Sequence, residues 1–435
     1  MEPATVFLIA LLTLFVLLAI RMPIAIALGI VSAGGILFIR GPRAALSLMG
    51  SETHDFAAHW TLSAVPMFLL MGAFAFQGGL TTSLFKAARI WLSRLPGGLA
   101  VATNAATAMF AASSGSSIAT SAAMSRLAAP EMLKAGYAPS LATSVIACAG
   151  TIGALIPPSI LFVVYAWYTQ ENVGQLLMAG LLPGLLTAGA YTVLIITRCK
   201  LNPSLAPAVE DHFSWKDRLQ VLLEIWPIPF LMLVVIGSIY GGIATATEAA
   251  ALGSIATLLL VILRGGFSWR FLRDSVNDAV TSSATVFFIA LAAALFAKLL
   301  ALSGIPPIIG DFIESSNMSS LQLVLLVVAL YLVLGMFLDP IGILLITLPI
   351  LLPAFEALEM NLIWMGVIIV KMIEIGLLTP PVGLNVFVVK GVLGDQVELR
   401  DIFRGVVWFL LAEIVIMGLI IAFPQISLVL PSLME

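Results

Sequence analysis

Charge is scarce in this chain. Asp, Glu, Lys and Arg make up 10% of its 435 residues, against 61% hydrophobic residues. Soluble domains sit near 45–50% apolar and about 25% charged, so a soluble globular protein is excluded. The formal net charge of −3 gives no field strong enough to recruit a polyanion such as nucleic acid. Cysteine is nearly absent. Cys148, inside an apolar run, and Cys199, at the end of another, suit small apolar packing rather than a disulfide pair. The three histidines, His54, His59 and His212, fall in segments read as loops, and no transition-metal or nucleophile–base constellation gathers around them. An intramembrane enzyme would need one. A basic leader is missing too: "MEPATVFLIALLTLFVLLAI" has no cation ahead of its apolar run and Arg21 just after it, the pattern of an uncleaved first span.

What is present is apolar sequence in long runs, with mean hydropathy +1.13. A helical span takes about 20 apolar residues, which leaves room for roughly a dozen crossings. Runs fall near residues 5–20, 23–39 and 62–80, with "RGPRAALSLMGSETHDFAAHW" as an amphipathic connection between the last two. Others fall near 138–169 and 175–197, and in the second half near 226–240, 243–263, 279–302, 321–338, 361–393 and 402–423. The longest polar segment, "RCKLNPSLAPAVEDHFSWKDRLQ", reads as a linker. The organisation expected is therefore a first repeat over 1–200, a linker over 201–220 and a second repeat over 221–435.

The halves look like copies. Ile152-Gly153-Ala154-Leu155-Ile156-Pro157-Pro158 matches Ile375-Gly376-Leu377-Leu378-Thr379-Pro380-Pro381 at an offset of 223 (375 − 152), and Pro130 falls on Pro353 at the same offset. Ala27-Leu28-Gly29 matches Ala251-Leu252-Gly253 at 224 (251 − 27). If each half holds an odd number of crossings, the copies are inverted, as in many secondary transporters.

Each copy carries a Pro-Pro pair inside an apolar run. Proline supplies no N–H and clashes with the carbonyl four residues back. Pro157 and Pro158 should free the carbonyls of Gly153 and Ala154, and Pro380 and Pro381 those of Gly376 and Leu377. Bare carbonyls in hydrocarbon cost several kcal/mol each, so they must meet protein, water or a ligand. A kink satisfied by neighbouring helices is the plainer reading of one pair. Its duplication favours a functional break, where carbonyl oxygens suit a small hard cation such as Na⁺.

Ahead of the first break, residues 97–130 are small, with a hydroxyl-rich centre, Ser113-Ser114-Gly115-Ser116-Ser117. The limbs on either side reach roughly 20 Å as helix, short of the ~30 Å hydrocarbon core. A re-entrant hairpin fits better than small-residue helix packing, whose motifs place small residues every fourth position. The matching hairpin, over about 321–353, has Asp339-Pro340 at its break. A carboxylate in an apolar run marks a functional site. Asp339 either coordinates a cation or caps the helix that follows. Broken helices are expected over about 138–169 and 361–393. Lys371 and Glu374, three apart, are expected to pair with each other. Glu248 and Glu413 have no evident partner.

These motifs together resemble the large membrane subunit of tripartite ATP-independent periplasmic (TRAP) transporters of the C4-dicarboxylate type. The resemblance rests on "SSGSSIATSAA", "APEMLKAGY", "GTIGALIPPS", "AGLLPGLL", "YGGIATATEAAALG", "GMFLDPIGILLITLPILLP" and "VKMIEIGLLTPPVGLNVFVVKG", in family order. Two departures stand out: Ala246 replaces a usual proline, and Ser125-Arg126 replace a usual glycine region. The first softens a helix start, and the second bears on limb packing or substrate fit.

The resemblance implies an all-α polytopic membrane protein of two inverted repeats, with re-entrant hairpins and broken helices that slide elevator-fashion against a scaffold. It implies a Na⁺-driven importer in the bacterial inner membrane. Its cargo, an organic acid, is delivered by a soluble periplasmic binding protein, and a small four-helix membrane subunit is a separate partner. One Na⁺ site would use Ser113 and Ser114 with carbonyls near Gly150 and Gly153. A second would use Gly335, Asp339, Thr379 and Gly376. Ser116, Ser117 and Asn385 would contact substrate between the hairpin tips. Other cofactors are not implied. A stand-alone Na⁺/carboxylate symporter of related fold is the alternative, with a passive channel beyond it.

Overall fold

A computed structural model describes residues 3–207 and 213–434. Those residues form helices and turns only. Seven helices are long and apolar enough to cross a membrane, eight if one pair bent by 42° counts as a single span. The protein is an all-α polytopic membrane protein.

The first half opens with α1 (Pro3–Ala19) and α2 (Ile24–Ala57). The connection expected over 40–60 continues as helix: α2 kinks at Gly41 (φ 77°) and Pro42 and runs on. His54 therefore lies in the last turn of α2 rather than in a loop, and His212 lies outside the described residues. A 3-10 turn (Trp60–Ser63) leads into α3 (Ala64–Gln77), followed by α4 (Leu80–Leu92). The small-residue region forms two limbs, α5 (Gly98–Ser114) and α6 (Ser117–Lys134). The next apolar run is interrupted between α7 (Pro139–Gly150) and α8 (Ile160–Thr169), and α9 (Val173–Leu201) closes the half.

After the polar segment, part of which lies outside the described residues, comes α10 (Trp215–Ile225), with Ser214 and Asp217 forming a reciprocal cap. Then follow α11 (Pro227–Tyr240), α12 (Ala246–Leu263), α13 (Trp269–Ser303) and α14 (Ile305–Ser315). Two limbs, α15 (Ser320–Gly335) and α16 (Pro340–Ala357), precede an interrupted pair, α17 (Leu362–Gly376) and α18 (Leu384–Leu393). The chain ends with α19 (Leu399–Ala422) and α20 (Gln425–Ser432).

The element starts repeat. α6 and α16 begin 223 residues apart (340 − 117), as do α7 and α17 (362 − 139), and α2 and α12 begin 222 apart (246 − 24). The repeats also interlock. α6 packs on α18, and α16 packs on α8, so each hairpin's second limb lies against the other half's interrupted helix. α7 packs on α19 and α17 on α9 in the same crossed way. The long helices α2 and α13 pack on each other outside this unit, and α13 also touches α16. A single large apolar core joins the hairpins to the interrupted helices, with Ile152, Leu155, Phe162, Val367, Ile373 and Leu378 all buried. The opposite surface is greasy, with Phe38, Leu233, Leu263 and Ile414 more than two-thirds exposed, as lipid contact requires.

Candidate functional site

Four breaks in helix, each set by particular residues, converge on one region. α5 stops because Gly115 turns left-handed (φ +65°), a conformation open to glycine at little cost. A Cβ there would lie 2.9 Å from the Pro158 carbonyl oxygen, so the hairpin tip is held against the first Pro-Pro. Ser116 then caps α6, its Oγ accepting the Ala119 N–H at 3.4 Å. In the second copy Asp339 caps α16: Oδ2 accepts the Gly342 N–H at 2.8 Å. Pro340 follows at the first helical position, where no N–H is needed.

The interrupted helices are built alike. α7 gives way to a 3-10 turn (Thr151–Ala154), then a cis Pro157–Pro158 bond, then Ser159 as the cap of α8. α17 ends at Gly376, followed by a cis Pro380–Pro381 bond and by Gly383 at φ +62° before α18.

Three of the four carbonyls expected to be bared have partners within the chain. Ser159 Oγ donates to Ala154 O at 2.5 Å, Thr379 N–H to Gly376 O at 3.0 Å and Asn385 N–H to Leu377 O at 3.1 Å. The expectation of free carbonyls is corrected to that extent: polar side chains and turn N–H groups cap the break. Each carbonyl keeps a second lone pair, so capped oxygens can still take a cation.

Gly150 and Gly153 lie against α6. A Cβ on Gly153 would sit 3.1 Å from Thr120 Oγ1 and 3.3 Å from the Ser116 carbonyl oxygen, and one on Gly150 would collide with Ser121 Oγ. Thr120 and Ser121 are fully buried and their hydroxyls have no hydrogen-bond partner. Such orphans are uncommon and point to water or an ion. Neither was singled out in the sequence, although both lie in the "SSIATS" run. Ser113 is buried, its Oγ donating to Phe110 O at 2.8 Å, and Ser114 Oγ donates to Ser116 O at 3.3 Å. Both hydroxyls are thus spent on local backbone.

In the second copy Gly335 and Gly376 touch. A Cβ on Gly335 would lie 2.8 Å from the Gly376 Cα. Thr379 Oγ1 donates to Ile375 O at 2.7 Å.

A cavity of about 1070 Å³ opens between these breaks and the outer helices α2 and α13. Gly115, Ser116 and Ser117 line one side, Asp339, Pro340 and Ile341 another, with Glu374 between them and Thr281, Ala284 and Phe288 of α13 opposite. The N-termini of α6 and α16 both border it, and helix N-termini present N–H donors and a positive dipole end. Of the residues expected to contact substrate, Ser116 and Ser117 line the cavity. Asn385 does not; it is buried in the first turn of α18 with both amide atoms unpartnered.

Glu374 does not pair with Lys371. It accepts a hydrogen bond from Ser117 Oγ at 3.0 Å, joining the second half's interrupted helix to the first hairpin's tip. Lys371 instead pairs with Glu413 of α19 and donates to Thr187 Oγ1 of α9 at 3.0 Å, while the Tyr191 hydroxyl donates to Glu413. Local spacing suggested Lys371–Glu374 because partners from α9 and α19 become neighbours only after folding. Glu248 closes a reciprocal cap with Thr245 at the start of α12.

A family model described as "Tripartite ATP-independent periplasmic transporter, DctM component" matches residues 11–426. The chain is 36% identical over 381 residues to the C4-dicarboxylate TRAP transporter large permease protein DctM of Pseudomonas aeruginosa, covering 86% of this chain and 87% of that one. It is 32% identical over 427 residues to the isethionate TRAP transporter permease protein DctMQ of Oleidesulfovibrio alaskensis, covering 94% of this chain and 64% of that one. In fold it is similar to the crystal structure of the YdaH transporter of Alcanivorax borkumensis (TM-score 0.65, 16% identity, 98% of this chain and 100% of that one).

Proposed function

The chain belongs to the DctM family of tripartite ATP-independent periplasmic transporters, and from that premise we propose that it imports an organic anion driven by a Na⁺ gradient. It is the large permease subunit of a TRAP transporter in the inner membrane, not an enzyme, and it works with a periplasmic binding protein and a small membrane subunit. Our reading adds the coupling ion, the class of cargo and the movement. The cargo class is supported by relatives named for C4-dicarboxylates and isethionate, both organic anions. The small subunit is taken to be a four-helix protein.

One observation carries the reading: two helix N-termini, from opposite halves of the chain, border one cavity beside duplicated breaks. Their N–H groups and dipole ends favour an anion, and no basic side chain among the described residues lines the cavity beside Asp339 and Glu374. Na⁺ is held at the breaks by main-chain oxygens, with Gly150 and Gly153 against α6 at one and Gly335 and Gly376 at the other. The cavity lies between the interlocked hairpins and the outer pair α2–α13, where sliding of one body past the other would carry it across the bilayer. That is an elevator movement, and inverted repeats give it two equivalent end states.

The test is uptake in proteoliposomes. With the binding protein, the small subunit and an inward Na⁺ gradient, a radiolabelled C4-dicarboxylate should accumulate. Replacing Na⁺ by K⁺, or omitting the binding protein, should abolish accumulation. Uptake by this chain alone would mark a stand-alone symporter, and uptake indifferent to Na⁺ a passive channel.

A further inference from the structure

The cavity poses an electrostatic problem. Its only charged lining residues, among those described, are Asp339 and Glu374, both acidic. Asp339 is engaged with the N–H of Gly342. Glu374 is 1% exposed, and only one of its oxygens is engaged, by Ser117 Oγ at 3.0 Å; Oε2 is buried with no partner at all. The nearest cation in sequence, Lys371, one turn earlier on α17, is committed to Glu413 and Thr187. Among the described residues none donates a hydrogen bond to Glu374 Oε2, and a buried carboxylate oxygen without a donor is costly. A second anion entering this cavity would be repelled unless a cation came with it.

We propose that Glu374 holds a cation at the cavity wall, a site separate from the two at the Pro-Pro breaks, and that this ion bridges Glu374 to the carboxylate of the cargo. This rests on the Na⁺-coupled reading above and deepens it. Oε2 supplies the charged ligand, and the Ser116 and Ser117 end of the first hairpin lies alongside it. The bridging ion turns a site that repels an anion into one that attracts it, so cation binding must precede cargo. Because Ser117 belongs to the first half and Glu374 to the second, filling the site also ties the two halves together.

The experiment is equilibrium binding of ²²Na⁺ to the purified full chain and to Glu374→Gln, which keeps the volume and the acceptor for Ser117 but removes the charge. Melting curves in KCl check that both are folded. The wild type should bind one more Na⁺ than the variant, or bind its weakest ion about tenfold more tightly, the scale of losing a charge-assisted contact. Equal Na⁺ binding by the two proteins overturns the inference while leaving Na⁺ coupling intact. No ²²Na⁺ bound by the wild type overturns the Na⁺-coupled reading, and the inference with it. If Glu374→Gln does not fold, a density map of the wild type in NaCl decides. Ion density against Glu374 Oε2 supports the site; its absence in a map that resolves ions at the breaks overturns it.

Discussion

Lys371 Nζ lies 2.7 Å from Glu413 Oε1, and neither side chain is more than 1% exposed. The pair joins α17 to α19, Thr187 and Tyr191 of α9 add hydrogen bonds to it, and one turn further along α17 Glu374 reaches the first hairpin. A buried polar seam thus ties three helices together behind the cavity. Removing one member of such a pair leaves an uncompensated buried charge. Glu413→Gln should destabilise the protein by about 3–5 kcal/mol. Lys371→Met with Glu413→Gln should recover most of that loss, since both charges are then gone. Reversible SDS titration of the purified protein in mixed micelles measures both. A near-neutral single variant would contradict the pairing.

The contact of Gly335 with Gly376 is backbone on backbone. A methyl on Gly376 would lie 2.5 Å from the Gly335 Cα, so α15 and α17 would have to separate where the second cation site is proposed. Gly376→Ala should lower initial uptake at least about tenfold, in line with the large cost of displacing packed backbone. Gly391→Ala, where the added carbon meets nothing within 4 Å, should leave uptake near normal. Equal uptake by both variants would show that the close approach has no role.

Asp339 caps α16. If that is its whole part, Asn should replace it well, because Asn and Asp are comparable caps, while Ala should cost about 1 kcal/mol of stability. If it is also an ion ligand, Asp339→Asn should raise the Na⁺ concentration for half-maximal uptake with stability unchanged. Measuring stability and Na⁺ dependence on the same two variants separates the roles. The 2.8 Å bond to Gly342 predicts the cap pattern in stability.

Pro158→Ala and Pro381→Ala each restore an N–H opposite a carbonyl four residues back, Ala154 in one case and Leu377 in the other. An N–H there would compete for oxygens that Ser159 and Asn385 now cap and would straighten the helix. Both variants should need more Na⁺ for half-maximal uptake while still reaching the membrane. Surface-labelling controls for expression, and unchanged Na⁺ dependence in both would count against break-held ions.

Much of this architecture was legible in the sequence because it depends on local chemistry. Proline and glycine act on their own backbone, so the breaks at Gly115, Pro157–Pro158, Asp339–Pro340 and Pro380–Pro381 could be read directly, and the constant offset linked them in pairs. Partnerships across the fold could not. The Ser117–Glu374 bond spans 257 residues and the Lys371–Glu413 bond 42, and only the crossed packing of the repeats brings them together. Nor does the sequence place Asn385 relative to the cavity, since its position after the second break says nothing of which way α18 turns it. Thr120 and Ser121 carry no signal in the sequence because hydroxyls in a helix usually bond their own backbone; their isolation shows only once α7 packs over them. The kinked continuation of α2 past Gly41 was hidden by its polar composition.

The central claim is that ions lodge at the paired breaks and energise uptake. Its most direct test is a high-resolution density map of the complete transporter, with binding protein and small subunit, in NaCl and again in KCl. The account predicts ion-sized density beside Gly150 and Gly153 and beside Gly335 and Gly376 in Na⁺, lost in K⁺. Two breaks that stay empty in Na⁺, in a preparation that still concentrates its cargo, would contradict it.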